Sequence, residues 1–408
     1  MSAQVLLLAV ALPTALHRPL PALVRHQHPL PTLARCAAPA VLSAAVPDAS
    51  PPQDASAAAP PDASPPQYFS APLVAFIGAL TLGLATGASL LKLPALKLAD
   101  LGASPCLPTP CLLAMRASFA AIIGASLSSS LRDKDPVQFN LITYAGTRLP
   151  PRAVGFRGLE RLTTYTVQCW ALQLVYFTVA TAASALQLAG VHGVPVGLAR
   201  AVHVLYEIVV QTAILVTCCV TFVLLPTRIR RGDWAGARRM LGRRPQLMHN
   251  ANLAFAASEL LFNSLPMLPL HFTFGALFGV QYVLLSWWCA APISATATSA
   301  AIATAAAVLA TAAAVLATAR WLKRTGIVYY PFLDPTLPAP RAIAFHFALL
   351  AVIAAFFGLG AGVDKVASLL PFVVRAPLLY AGACSLMWTN FIRGRPGELA
   401  AQAEGGTE

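Results

Sequence analysis

The sequence has little charge: 11% of its 408 residues are Asp, Glu, Lys or Arg, against about 25% in soluble domains. Hydrophobic residues make up 57% of the chain, and apolar runs long enough to cross about 30 Å of hydrocarbon recur along it. This composition excludes a soluble globular domain. Runs of this length also exclude a membrane barrel, whose strands need only about 10 alternating residues. The sequence therefore predicts an all-α, polytopic transmembrane helix bundle of about seven to nine spans.

Several common signatures of chemistry are also missing. The eight cysteines form no CxxC pattern, which speaks against both a cysteine zinc site and a disulfide framework. The chain has no G-x-S-x-G elbow, no HExxH and no glycine-rich phosphate loop. We therefore expect no cofactor and no metal.

The net charge of +13 is concentrated in loops rather than on a surface that could bind nucleic acid. Residues 228–244 carry seven arginines against Asp233 alone, and a second basic loop spans 148–161. Two predicted spans separate these loops, so both are expected on one side, cytosol-like by the positive-inside rule. We expect the arginine loop 228–244 to contact anionic lipid heads.

The N-terminal region differs in composition from the rest. Residues 1–46 combine an apolar core at Val5–Leu12 with an acid-free stretch, a pattern typical of signal and organelle transit peptides, including those of plastids. Residues 47–68, with PDASPPQ occurring twice, are expected to form a disordered linker. A helical domain at 69–392, with an Ala-rich segment at 290–320, and a polar tail at 393–408 complete the chain.

One predicted span carries a polar stripe. His203, Glu207 and Gln211 follow at i, i+4 and i+8 and so share one helix face. A carboxylate in hydrocarbon is costly and marks either a functional site or a His–Glu pair that joins helices. His203 and Glu207 could ligate a metal, but no third His or Asp follows at matching spacing.

Two further helix starts carry polar groups. Thr164 and Thr166 open the predicted span Thr163–Leu188, and His249 precedes the predicted span Asn250–Leu265. Both helices leave from the arginine-rich side, so these residues are expected at a similar depth. The simpler interpretation of the threonines is a helix cap or a back-bonded hydroxyl. For His249 it is an interfacial histidine or a helix cap.

Two acidic residues late in the chain have structural interpretations. Glu259 lies about 15 Å along the axis from His249 and is expected to pair within the bundle. Asp364-Lys365 is interpreted as a turn before a last span at Val366–Met387.

Four segments resemble the androgen-induced protein family, which includes the androgen-dependent TFPI-regulating protein. The histidine helix matches at Met248, His249 and Glu259, and YVLLSWW (Tyr282–Trp288) resembles the helix that follows it. TGIVYYPFLDP (Thr325–Pro335) resembles a Tyr-Pro-Phe-Leu signature, and RLTTYTVQCWALQLVYF resembles the family's threonine helix. The resemblance covers roughly residues 155–360. Pro245-Gln246 replaces an Asn-His pair of the family.

The resemblance implies a multi-pass membrane hydrolase of fatty acid esters of hydroxy fatty acids, in the endoplasmic reticulum or plasma membrane. It implies Thr166 as the nucleophile and His249 as its base, with Thr164 as the alternative nucleophile if the alignment shifts by two. Asn250 or Asn252 could then donate to the oxyanion. The alternative hypothesis is a non-enzymatic transporter or scaffold that uses the stripe His203–Glu207–Gln211.

Overall fold

The computed structural model describes residues 69–94, 96–140, 144–149, 153–191, 193–290 and 330–393. The predicted targeting segment and linker lie outside the described residues, as do most of the Ala-rich segment and the polar tail. Twelve α-helices occur in the described part of the chain. They are α1 Ala71–Leu90, α2 Leu98–Gly102, α3 Thr109–Arg132, α4 Tyr165–Leu188, α5 Val196–Cys219, α6 Leu225–Arg230, α7 Trp234–Met240, α8 Arg243–Gln246, α9 Asn252–Phe262, α10 Phe272–Ala290, α11 Ala339–Leu369 and α12 Phe372–Arg393.

Shorter elements connect these helices. A hairpin pairs β1 (Val137–Asn140) antiparallel to β2 (Ala153–Phe156), with Val137 opposite Phe156. Turns of 3₁₀-helix occupy Gly158–Thr163, Pro269–His271 and Pro331–Leu333, and π-helical turns occupy Val220–Leu224 and Leu247–Ala251. We call the second of these, Leu247–Ala251, the histidine turn.

Six helical segments are long and apolar enough to cross a membrane, and they confirm the predicted polytopic helix bundle. They are Ala71–Leu90, Thr109–Arg132, Tyr165–Leu188, Val196–Arg230, Pro269–Trp287 and Ala339–Leu369. The segment that begins with α5 has 78% of its most apolar window buried, whereas α1 and α11 each have 22%. The α5 segment is therefore the centre of the bundle.

Two predicted spans differ from the structure. The predicted span Asn250–Leu265 is the 11-residue helix α9, which follows α8 and the histidine turn without a break and ends before the proline-rich turn at 263–269. Interpreting Asp364-Lys365 as a turn was wrong, because α11 runs through both residues to Leu369. The Asp364 carboxylate accepts a hydrogen bond from the Met267 amide at 3.0 Å, and the chain bends after the helix, at Leu370.

Helices α5 and α10 approach closely at one glycine. A Cβ atom at Gly275 would lie 1.6 Å from the Gln211 side-chain oxygen, so no larger residue fits without a shift. Gln211 in turn donates a hydrogen bond to the Ile353 carbonyl of α11 at 2.9 Å. The end of the predicted polar stripe therefore joins three helices.

The two basic loops meet at one acidic residue. Asp133, just after α3, pairs with Arg161 at 3.6 Å and also with Arg244. The prediction that both loops lie on the same side of the bundle is therefore confirmed. We call this end of the bundle the arginine-rich face.

Candidate functional site

Three of the segments that carry the family resemblance meet at the start of α4, near the arginine-rich face. The Tyr282 hydroxyl donates a hydrogen bond to the Thr163 carbonyl at 3.0 Å, and the Trp287 indole donates to the Leu333 carbonyl at 2.9 Å. The rings of Tyr282 and Tyr330 are 5.9 Å apart. The helix that contains YVLLSWW is thus fixed both to the threonine helix and to the YYPF loop.

The threonines at this point have different partners. The hydroxyls of Thr163 and Thr164 donate to the carbonyls of Glu160 and Arg161, at 2.5 and 2.9 Å. Thr166, the second residue of α4, instead interacts with the Tyr330 hydroxyl. The Thr164 hydroxyl is therefore back-bonded to the preceding turn and does not cap the amides of α4, whereas Thr166 faces another side chain.

Tyr330 is a polar neighbour of Thr166 that sequence reasoning did not single out, although it belongs to the YYPF motif. Burial raises the pKa of its phenol well above the usual value. The hydroxyl therefore keeps its proton at neutral pH and can donate a hydrogen bond beside Thr166.

His249 lies in the histidine turn, which two polar side chains fix to the bundle. The Thr217 hydroxyl of α5 donates to the His249 carbonyl at 2.5 Å, and it lies 3.1 Å from the Asn252 side-chain oxygen. The Gln173 amide of α4 donates to the Asn252 carbonyl at 3.0 Å. π-Helical turns are rare in proteins, and those that do occur are often found at functional sites.

Among the described residues, the His249 imidazole lacks a hydrogen bond at one of its two ring nitrogens. Its Nδ1 atom is buried and has no hydrogen-bond partner within the part of the chain that the structure describes. His249 precedes α9, outside the six apolar spans, and burial lowers its pKa to about 4. The ring is therefore neutral at physiological pH and has the lone pair that a general base needs.

The structure brings α4 and the histidine turn into contact, but among the described residues no hydrogen bond joins Thr166 to His249. The side-chain amide of Asn250 donates to Gln246, and the oxygen of Asn252 faces Thr217. The predicted nucleophile and base therefore lie on packed elements without forming a hydrogen-bonded pair.

Glu259 pairs within the bundle, as expected. Its partner is Arg116, the charged residue within the otherwise apolar sequence of α3. The Arg116 Nε atom lies 3.0 and 3.2 Å from the two carboxylate oxygens, and the Tyr176 hydroxyl donates to Oε1 at 2.8 Å. Arg116 also donates to the Leu101 carbonyl and the Ser184 hydroxyl, at 2.7 and 2.9 Å. Both charged side chains are almost completely buried.

The polar stripe begins in the N-terminal half of α5, away from Thr217 and the histidine turn. His203, Glu207 and Gln211 are all buried, and the turn before α10 adds His271 to them. Glu207 accepts from the Leu268 amide at 2.8 Å, and its second oxygen lies 2.6 Å from His271 Nδ1. One ligand atom each from His203, Glu207 and His271 lie within 4.8 Å of one another, so these three residues could hold a metal ion.

The fold and these buried polar sites define a multi-pass α-helical membrane protein. Comparison with protein-family models, curated proteins and solved structures finds no match for the chain. The resemblance to the androgen-induced family therefore rests on the sequence motifs alone, and the function is argued from the sites themselves.

Proposed function

We propose that the protein is an integral membrane hydrolase of lipid esters, with Thr166 as the nucleophile and His249 as its base. The observation that carries this proposal is the convergence at the first turn of α4. The YVLLSWW helix and the YYPF loop both contact that turn, and the histidine turn packs on the same helix. Of the three threonines at this helix start, Thr163 and Thr164 donate to backbone carbonyls of the preceding turn, and Thr166 interacts with the Tyr330 side chain.

The proposed reaction is acyl transfer in two steps. His249 takes the proton of Thr166, whose oxygen attacks the ester carbonyl; the alcohol then leaves with that proton, and an acyl-threonine ester remains. In the second step His249 deprotonates a water molecule, whose oxygen attacks the acyl carbon; the bond to Thr166 breaks, the fatty acid leaves, and the proton on His249 passes to the Thr166 oxygen. The Tyr330 hydroxyl, with Asn250 or Asn252, supplies hydrogen bonds to the oxyanion.

This mechanism requires Thr166 to turn from Tyr330 toward the imidazole when substrate binds. Catalytic hydrogen bonds are often long in free enzymes and tighten in the substrate complex. A neutral His249 whose Nδ1 has no hydrogen-bond partner among the described residues can accept the proton of Thr166.

The arginine-rich face supports a membrane lipid as the substrate. Most arginines of loop 228–244 are exposed there, namely Arg230, Arg231, Arg238, Arg239, Arg243 and Arg244. Guanidinium groups bind carboxylates and phosphates with paired hydrogen bonds, so they fit both the acid end of such an ester and anionic lipid heads. The endoplasmic reticulum or plasma membrane is the proposed location, and a plastid or other organelle membrane is the alternative.

The pH dependence of hydrolysis tests the role of His249. The pKa of His249 is lowered to about 4, so the base stays neutral as pH falls below 6.5, where an ordinary histidine becomes protonated. Ester hydrolysis should therefore lose half its rate only near pH 4. The same shift means that the folded protein loses stability as pH falls from about 6.5 to 4, because the unfolded state binds the proton first. Release of acid from a fatty acid ester of a hydroxy fatty acid, by purified protein in detergent, gives the profile.

A thermal unfolding curve at each pH separates lost base function from lost fold. An acidic limb centred near pH 6.5 in a folded protein would argue against a buried neutral imidazole as the base.

A transporter or scaffold built on the polar stripe is the second candidate function. The observation in its favour is that Glu207 is buried against two imidazoles and a backbone amide. Intramembrane carboxylate–histidine groups of this kind occur in proton relays. Proton flux into vesicles that contain the protein, abolished by Glu207→Gln, would favour this candidate over hydrolysis.

A further inference from the structure

We infer that His203, Glu207 and His271 form a binding site for a divalent transition metal of the zinc class. His203 and Glu207 lie one turn apart on α5, and His271 closes the cluster from the 3₁₀ turn before α10. One ligand atom from each lies within 4.8 Å of the others. Tetrahedral zinc holds its ligand atoms about 3.4 Å apart, so small side-chain rotations would complete the set.

Charge balance is the first argument for a cation. Among the residues that the structure describes, the glutamates Glu207 and Glu259 are buried, and each accepts hydrogen bonds from several groups. Glu259 has the guanidinium of Arg116, whereas the ion-pair partners of Glu207 among the described residues are the imidazoles of His203 and His271. A buried carboxylate needs a positive charge beside it, and two imidazoles supply one only by binding a proton or a metal ion.

The second argument is an unused donor atom. The Nε2 atom of His203 lies 2.7 Å from the Pro266 carbonyl, so this nitrogen carries the ring proton. The Nδ1 atom then has a free lone pair, and it is buried without a hydrogen-bond partner in the described part of the chain. Because Nε2 is the nitrogen that lies 3.7 Å from Glu207 Oε1, the His203 ring must rotate to present Nδ1 to a metal ion. Metal-binding histidines usually donate their other N–H to a carbonyl in this way, which fixes the tautomer.

The donor set selects the class of metal. Two imidazole nitrogens and one carboxylate oxygen suit Zn²⁺ and neighbouring first-row ions, whereas Mg²⁺ and Ca²⁺ prefer oxygen ligands. When the metal binds, it takes the lone pair of His271 and a Glu207 oxygen, and the proton they now share is released to solvent. The Leu268 amide stays on the carboxylate at 2.8 Å and orients it.

This site is separate from the proposed catalytic pair. Thr217, which holds the histidine turn, lies 14 residues after His203 on α5, or about 21 Å along the helix axis. A metal at the cluster would join α5 to the turn between α9 and α10, at the end of the bundle opposite the arginine-rich face.

Titration of the full chain with Co²⁺ in detergent tests the inference, because cobalt held in a tetrahedral site absorbs visible light far more strongly than cobalt in water. We expect saturation at about one cobalt per chain, displacement by Zn²⁺, and an uptake at least tenfold weaker in His271→Gln and Glu207→Gln. His346→Gln is the matched control, since His346 is a buried histidine of α11 outside the cluster. Its cobalt uptake should equal that of the unchanged protein.

A measurement on the unchanged protein guards against variants that fail to fold. Zinc added to protein treated with a chelator should raise its unfolding temperature, and lower pH should weaken binding. Absence of cobalt uptake by folded protein would overturn the inference and leave a proton-sharing cluster. Uptake that persists undiminished in both folded variants would overturn it as well, because the metal would then lie elsewhere.

Discussion

Thr166→Ala should lower ester hydrolysis by about a thousandfold or more, with little change in the unfolding temperature. Removal of a nucleophile leaves only the rate enhancement that binding and oxyanion contacts supply. The measurement is the initial rate of acid release from the ester at saturating lipid, for purified protein in detergent. Thr178→Ala is the matched control, because Thr178 lies on the same helix, is exposed, and donates only to the Leu174 carbonyl at 2.8 Å.

Two further variants separate the roles at this site. His249→Ala should lose activity to a similar extent as Thr166→Ala, and the double variant should be no slower, because a nucleophile and its base act as one unit. Thr164→Ala distinguishes the two alignments of the threonine helix. If Thr164→Ala is inactive and Thr166→Ala retains its rate, the nucleophile is Thr164 and the proposed assignment is wrong.

Arg116→Met should destabilise the protein by about 3–5 kcal/mol, because it leaves the Glu259 carboxylate buried without its counter-charge. The loss also frees the Leu101 carbonyl and the Ser184 hydroxyl that Arg116 satisfies. Denaturant titration in detergent, followed by tryptophan fluorescence, measures the change in free energy of unfolding. The matched control is Arg132→Met, on an exposed arginine of the same helix.

The double variant Arg116→Met, Glu259→Leu gives the sharper test of this pair. Replacing both charges with apolar side chains removes the uncompensated carboxylate, so most of the lost stability should return. A single Arg116→Met variant as stable as Arg132→Met would show that the pair contributes little to folding.

The helical class and most spans follow from run length alone, because hydrocarbon thickness sets the number of apolar residues per helix. The shared side of the two basic loops followed from counting spans. The partners of the polar residues could not be obtained in this way. Arg116 and Glu259 are 143 positions apart, and only the packing of α3 against α4 and α9 brings them together.

Non-local contacts also explain what the site predictions lacked. His203 and Glu207 were found by their helical spacing, but His271 comes from a turn that no periodicity connects to α5. Tyr330 was visible only as part of a motif, since its proximity to Thr166 depends on the contact of the YYPF loop with α4. The Asp364 error has a similar cause: its carboxylate is satisfied by the Met267 amide, so the acidic residue does not end the helix.

Covalent trapping of the nucleophile tests the central proposal most directly. The purified protein is treated with an alkyl phosphonate ester that reacts with activated hydroxyls, and the modified peptide is identified by mass spectrometry. The proposal predicts a single adduct on Thr166 that is lost in His249→Ala and suppressed by excess lipid ester. Absence of an adduct on Thr166 in folded protein that hydrolyses the ester, or an adduct on another residue that accounts for the activity, would contradict it.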